Sequence, residues 1–417
     1  MHFFTSLLDR RTVIATVAAL AALLLFQSMS FAQTNVASGT ATTSYTLTAT
    51  GVAVDPQLSI TSAAPISGFK VTISAGLRYM DMLSYTAALP SGVSAAYNSG
   101  TGVLTFSGNA SAAEWQTLLR TVTFSNANAS QYGDRTITFS AGTLAAGSNG
   151  HYYELVSSNV NWSSAKTAAE SRSYLGYTGY LATITSDAEN NFIRQVLASD
   201  SWIGATDDYS QINAATGTTT FANQSAAEGK WYWVTGPEKG TMFSTGNNSP
   251  STVSGQYANW NNAEPNNSGS NEHCGQIYSS NATGKWNDLP NSFTISYVVE
   301  YGGLQNDPVQ TITANTTIVI AITSNSIFGT QTRCFGISAG TLTGITPSGG
   351  NGTYSYQWIS SATGSSSGFS AATGTNSTIS YSPGAVSATT WFRRIVTSGT
   401  QVDTSSAIQV TVNPQLV

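Results

Sequence analysis

The sequence predicts a multidomain chain in which an α+β domain stands between all-β sandwiches. Three observations carry this. Apolar residues alternate with period two through most of 43–142 and again in the tail, as half-buried strands do. The stretch between them mixes strand-like runs with helical spacings. That stretch, 149–303, also holds 13 of the chain's 20 acidic residues and 6 of its 15 basic ones, a net −7. The preceding segment, 33–148, has 4 of each and is neutral. A length of 417 residues accommodates two to four domains.

The N-terminal residues, 1–32, read as a secretory signal peptide. Arg10 and Arg11 form a positive region, and Val13 to Phe26 is apolar and uncharged. Ser30-Phe31-Ala32 then offers small residues for cleavage before Gln33. The apolar run is shorter than the roughly 20 residues needed to span a bilayer. No later segment is apolar enough, so the mature chain is expected to carry no transmembrane segment and to be secreted or held at the cell surface. A formal charge of −5 leaves no basic patch for phosphates and argues against nucleic acid. Charged residues make up only 8%, while 41% hydrophobic and 11% aromatic content suffices to build cores.

Segment 33–148 reads as a β-sandwich. Tyr45, Leu47 and Ala49 alternate, as do Val71, Ile73 and Ala75, and Val103–Phe106 and Thr136–Phe139 repeat the pattern. One helix interrupts it. Ser111 caps a turn that puts Trp115, Leu118 and Leu119 on one face. The run from Leu83 to Arg120, with Pro90-Ser91-Gly92-Val93, Tyr97, Gly102–Gly108 and Trp115–Arg120, resembles cadherin-like repeats of bacterial surface proteins. The resemblance implies a structural or adhesive module. A further β-rich run, Thr311 to Thr323, is either the closing strand of this domain, completing it through 306–324 after an insertion, or the first strand of the tail.

Segment 149–303 opens with a strand, His151–Val156. Trp162, Ala165, Ala168 and Ala169 have helical spacing, and Gly179–Ile184 is a strand. Ser186 caps a helix, with Glu189 closing a capping box and Phe192, Ile193 and Val196 facing inward. Trp202-Ile203-Gly204-Ala205, Trp231-Tyr232-Trp233, Tyr257–Trp260, Glu264-Pro265-Asn266-Asn267, Asn271–Cys274, Trp286-Asn287-Asp288 and Tyr297–Tyr301 follow. This order resembles the C-type lectin-like family over the whole of its domain. The tryptophans and Gly204 are expected in the core, with Trp286 packing beside the site.

Calcium takes six to eight oxygens from carboxylates, amide carbonyls and hydroxyls. Glu264, Asn266, Glu272, Asn287 and Asp288 supply oxygens of those kinds, and the resemblance makes them both the calcium ligands and the carbohydrate-binding residues. Two adjacent sugar hydroxyls would complete the metal's shell, each also donating to a carboxylate and accepting from an Asn amide. Glu-Pro-Asn implies mannose-, glucose- or fucose-type ligands, and Pro265 is expected to be cis. The same resemblance places an auxiliary calcium at Asp207, Glu228 and Asn267. His273 stands where an aspartate is usual and is expected at the solvated rim, which weakens that site. A Thr- and Ala-rich loop is inserted between Asp207 and Glu228. The family's two internal disulfides are missing, since the position expected to pair with Cys274 is Asn291.

Segment 325–417 reads as a second sandwich. Tyr354, Tyr356 and Trp358 alternate, and Thr390–Gly399 forms another strand. With Gly349–Trp358 these runs resemble the Ig-like repeats of bacterial secreted and adhesion proteins. The two cysteines, Cys274 and Cys334, read as small buried thiols or as a bridge between domains.

These readings converge on a secreted, calcium-dependent lectin or adhesin whose partners are mannose-type glycans or cell-surface glycoproteins. The alternative is a lectin-like fold used for protein–protein adhesion or as a matrix module. No enzyme is expected, because no nucleophile elbow, zinc motif or phosphate loop is present.

Overall fold

The computed structural model describes residues 33–280 and 283–414. The expected signal peptide, 1–32, lies outside them. Among the described residues no helix is long and apolar enough to cross a membrane. The chain divides into two compact units. One gathers Gly142–Gln310 with Ser62–Ile66, and the other gathers Asn35–Thr61, Ser67–Ala141 and Thr311–Val417.

The second unit is interrupted in sequence, and its strand pairing shows where. A six-stranded sheet runs Thr42–Tyr45, Thr313–Ile320, Arg135–Ala141, Ile66–Ala75, Val103–Ala110, Ser94–Asn98. Thr313–Ile320 lies antiparallel to Arg135–Ala141, with Ser140 opposite Thr313 and Arg135 opposite Ile318. It lies parallel to Thr42–Tyr45 on its other side. The chain therefore leaves this sheet at Ala141 and re-enters it on the neighbouring strand, and Gly142–Gln310 is an insertion between the two. The helix Ala112–Leu119 is capped by Ser111, whose Oγ accepts from the Glu114 amide while the Glu114 carboxylate accepts from the Ser111 amide. It buries Trp115 against Phe69 and Phe106, at ring separations of 5.3 and 6.2 Å. Arg135 is fully buried and paired with Asp81 at 3.0 Å.

The tail strands fall within this same compact unit and pair with one another in a sheet of their own, built on Ser355–Ser361 and Thr390–Ser398. The Gly350 amide donates to Ile320 and its carbonyl accepts from Gly133, at 3.1 and 2.8 Å. Trp358 on Ser355–Ser361 stacks on Tyr381 at 5.6 Å and centres a local core with Leu342 and Phe392. Cys334, expected to be buried, is exposed on the strand Gln331–Cys334, and both cysteines are free.

The inserted unit is α+β. Its sheet runs Tyr177–Leu181, Ile295–Tyr301, Ser201–Thr206, Lys230–Trp233, Thr241–Thr245, Ser251–Thr252. The opening strand Tyr152–Val160 pairs with the closing strand Ile295–Tyr301, so the two ends of the unit hold each other. Trp162–Glu170 is capped by Asn161, and Asp187–Val196 by Ser186. The expected capping box at Ser186 is half made. Ser186 Oγ accepts from the Glu189 amide, but the Glu189 carboxylate turns to the Thr185 amide and to Tyr153 Oη.

The core of this unit is aromatic. Trp231, Trp233, Phe243 and Trp286 are fully buried, with Trp260 beside them. Trp233 stacks on Phe243 at 4.4 Å, and Trp286 sits edge-on to Trp233, Trp260 and Tyr257. Gly204 is needed by close approach, because a Cβ there would lie 2.9 Å from the Leu181 carbonyl and against Thr235 Oγ1. No disulfide helps. Instead Arg172, just after the first helix, holds Glu154 of the opening strand in a two-pronged ion pair, and Tyr301 Oη donates to the same carboxylate.

Candidate functional site

The site begins at Trp286. Its indole is fixed in the aromatic core, and its Nε1 donates to Asn190 Oδ1 at 2.8 Å. Asn287 and Asp288 follow it on the strand Trp286–Leu289, opposite Gln276 and Gly275 of Cys274–Ile277. Their backbone positions are therefore set by packing. Asn287 uses its amide hydrogens on Gln276 Oε1 (3.2 Å) and its neighbour's carbonyl (2.7 Å).

Asp288 is fully buried and organises the loop facing it. Its Oδ1 accepts from the Asn266 amide at 3.0 Å and its Oδ2 from the Asn267 amide at 2.8 Å. The Glu264–Pro265 bond in that loop is cis. Asn267 takes a left-handed conformation (φ 47°), which Asn tolerates better than most residues. Its Oδ1 accepts from the Glu272 amide at 3.1 Å, and the Glu272 carboxylate accepts from the Ser268 amide at 2.8 Å. The structure thus joins the loop that carries Glu264, Asn266 and Glu272 to the strand that carries Asn287 and Asp288.

The electrostatics of this group are unbalanced. Burial, then repulsion from Asp288 and Glu272, pushes the Glu264 carboxyl above its ordinary range. Burial raises Asp288, and burial with repulsion from Asp288 raises Glu272. Among the described residues no lysine or arginine pairs with any of the three. Glu264 Oε2 and Asn266 Oδ1 are buried and accept no hydrogen bond. Buried acceptors without donors cost free energy unless something positive meets them. An oxygen-only donor set with surplus negative charge fits a hard divalent cation such as calcium. A polar cavity of about 290 Å³, lined by Asn248, Ser249, Thr252, Trp260, Asn262 and Glu264, opens beside it.

At the auxiliary position the structure groups Asp207 and Glu228 with His273, and all three ligand atoms lie within 4.8 Å of one another. His273 is not the rim residue expected. Its side chain is 18% exposed, and its Nδ1 lies 2.9 Å from Asp207 Oδ1 and 3.9 Å from Glu228 Oε2. The hydrogen bond to Asp207 raises the His273 pKa, while burial raises that of Asp207. The Asn267 side-chain oxygen accepts from the Glu272 amide at 3.1 Å. The inserted loop contains two helices, Tyr209–Thr216 and Gln224–Ala227. Asp208 caps the first, which ends at Gly217 in a left-handed conformation, and both signals stand in the sequence. Sequence reasoning missed Gln276 and Asn247, which orient Asn287 and Glu228; only strand register and tertiary contact reveal them.

A second buried polar group lies deeper. Glu300 is fully buried, and its Oε1 is 2.5 Å from His151 Nδ1. Its Oε2 accepts from the Thr183 amide at 2.9 Å, while Tyr153 Oη reaches both Glu189 and Glu300, at 2.6 and 3.2 Å. Burial pushes the Glu300 carboxyl up to about 7.

Residues 158–298 match the family model for the lectin C-type domain, and residues 323–414 match a domain of unknown function (DUF8696). The chain is 38% identical over 323 residues to halomucin from Haloquadratum walsbyi, an alignment that covers 74% of this chain and 3% of that protein. It is 29% identical over 151 residues to the hepatic lectin of Gallus gallus, covering 36% of this chain and 53% of that one. The chain thus spans only part of the length of either relative. Among solved structures it is similar to the C-type lectin CEL-I from Cucumaria echinata, with 21% identity and a TM-score of 0.26, covering 36% of this chain and 90% of that one.

Proposed function

We propose, taking as premise the C-type lectin domain that residues 158–298 form, that this chain is an extracellular, calcium-dependent carbohydrate-binding protein. Its ligands are of the mannose, glucose or fucose type, and its work is adhesion by binding, without catalysis. The observation that carries the reading is the buried, unpartnered pair Glu264 Oε2 and Asn266 Oδ1 beside carboxylates that no basic side chain among the described residues neutralises. Glu264, Asn266, Glu272, Asn287 and Asp288 hold the ion. When bound, calcium supplies positive charge and open coordination positions for two vicinal hydroxyls. The chain's own part is to fix orientation. Asp288 holds the loop through two amides, and Gln276 holds the Asn287 amide group, so Asn287 donates to a sugar hydroxyl only by giving up its 3.2 Å bond to Gln276.

The resemblance to a lectin over the inserted unit supports sugar as ligand class, and the match to a much longer relative supports display on a large surface protein. The flanking β-rich regions serve as cadherin-like and Ig-like display modules. The test is retention of the full chain on mannose, fucose, glucose and galactose resins with calcium and with chelator. Retention on the first three that chelator releases, and that Asn287→Ala and Asp288→Ala each abolish, is expected. Retention that survives either substitution overturns the site. Failure on every resin, with calcium-independent capture of a glycan-free protein, moves the chain to the protein-adhesion reading.

A further inference from the structure

We propose that the auxiliary position, Asp207–Glu228–His273, disfavours calcium and takes a divalent transition ion of the zinc class. The resemblance implies calcium there, and the residues do not fit it. Calcium binds oxygens in numbers of six to eight. Here one of the three converging ligand atoms is an imidazole nitrogen, a donor that calcium disfavours and zinc accepts. Imidazole with carboxylates suits zinc, copper or nickel, and three protein ligands with one open position is a common zinc arrangement.

Orientation of the ligands carries the inference further than their mere proximity. Asp207 Oδ2 accepts from the Gly229 amide at 2.9 Å, which leaves Oδ1 as the oxygen facing Nδ1 of His273. Glu228 Oε1 accepts from Asn247 Nδ2 at 2.9 Å, which leaves Oε2 facing the same nitrogen. Each carboxylate is thus aimed by a donor on its far oxygen, the outer arrangement that typically supports metal ligands. Asn247 Oδ1 beside Glu228 is buried and accepts no hydrogen bond. The His273 backbone is fixed as well, since its carbonyl accepts from Thr206 Oγ1 and from the Asp207 amide. Glu228 and His273 remain 27% and 18% exposed, so an ion bound there can keep a water ligand.

The test uses the full chain carrying Cys334→Ser, because that exposed thiol would itself bind soft ions. The principal site is first saturated with calcium. Zinc is then titrated by calorimetry and cobalt by visible absorbance. One zinc per chain, bound at least a hundredfold more tightly than a second calcium, is expected, with cobalt giving the intense d–d bands of a four- or five-coordinate site. His273→Gln should weaken zinc at least tenfold, and His273→Asp should restore an all-oxygen set that gains a second calcium. Unchanged far-UV and near-UV circular dichroism and an unchanged melting temperature in calcium check that each variant is folded, so the result stands whether or not the chain is retained on sugar. Zinc no tighter than calcium, absence of the cobalt bands, or zinc affinity unchanged in His273→Gln overturns the proposal. Any of these would leave His273 as only an internal ion-pair partner of Asp207.

Discussion

Replacing Glu300 with Gln keeps the shape of a side chain at the centre of the lectin domain and removes its charge. The effect can be worked from the burial of this group. Its carboxyl is pushed from an ordinary 4.5 to about 7, first by desolvation, against the favourable bond from His151. One pKa unit is worth about 1.4 kcal/mol, so the two states differ by about 3 kcal/mol across that window. The sign follows from which state holds the proton. The folded chain keeps it at pH values where the unfolded chain has lost it. The contribution is therefore full below 4.5 and lost as pH rises through about 7. For a unit of this size, 1 kcal/mol shifts the melting temperature by roughly 2–4 °C. Thermal melts from pH 4.5 to 8.5, in saturating calcium, should show the parent falling by about 6–12 °C more than Glu300→Gln. Parallel curves for the two proteins would mean that the pH dependence arises from groups other than Glu300.

Asp288→Ala strips the acceptors from the Asn266 and Asn267 amides, at about 1–3 kcal/mol each, so urea unfolding should show the domain weakened by roughly 2–6 kcal/mol, together with loss of calcium binding. Gly204→Ala drives a methyl against Thr235 and the Leu181 carbonyl and should cost at least the ~1–3 kcal/mol typical of overpacking, read as a lower denaturation midpoint. A thiol reagent should modify Cys334 in the folded protein and reach Cys274 only on unfolding, since burial also raises the Cys274 thiol pKa; equal rates for the two would contradict the fold.

The parts legible in the sequence were those whose signal is local. Ser111 and Ser186 announce helix starts because capping acts within four residues. That the Glu264–Asn266 loop meets the Asn287–Asp288 strand is legible because each stands in a short run whose neighbours, Pro265 and Trp286, mark it. His273 was misplaced for a different reason. Its surroundings are Asp207 and Glu228, both distant in sequence, and a lone His in a polar loop gives no local sign of burial. The Glu189 carboxylate was assigned to its own helix cap, whereas Tyr153, far back in the chain, competes for it and wins. The exposure of Cys334 is likewise set by which face of an edge strand it occupies, and a single residue of register decides that.

The pairing of Arg135–Ala141 with Thr313–Ile320 bears on how the molecule carries load. Tension on any protein pulled by its ends runs along the backbone. A pull applied to the host unit from both sides enters this hairpin-like stem at Arg135 and Ile318, its end farthest from the insertion. The ladder must unzip rung by rung as far as Ser140 and Thr313 before any force reaches the inserted domain. The stem thus acts as a mechanical shunt, and the loop that carries Glu264 and Asn266 keeps its unloaded geometry while the chain around it is under strain.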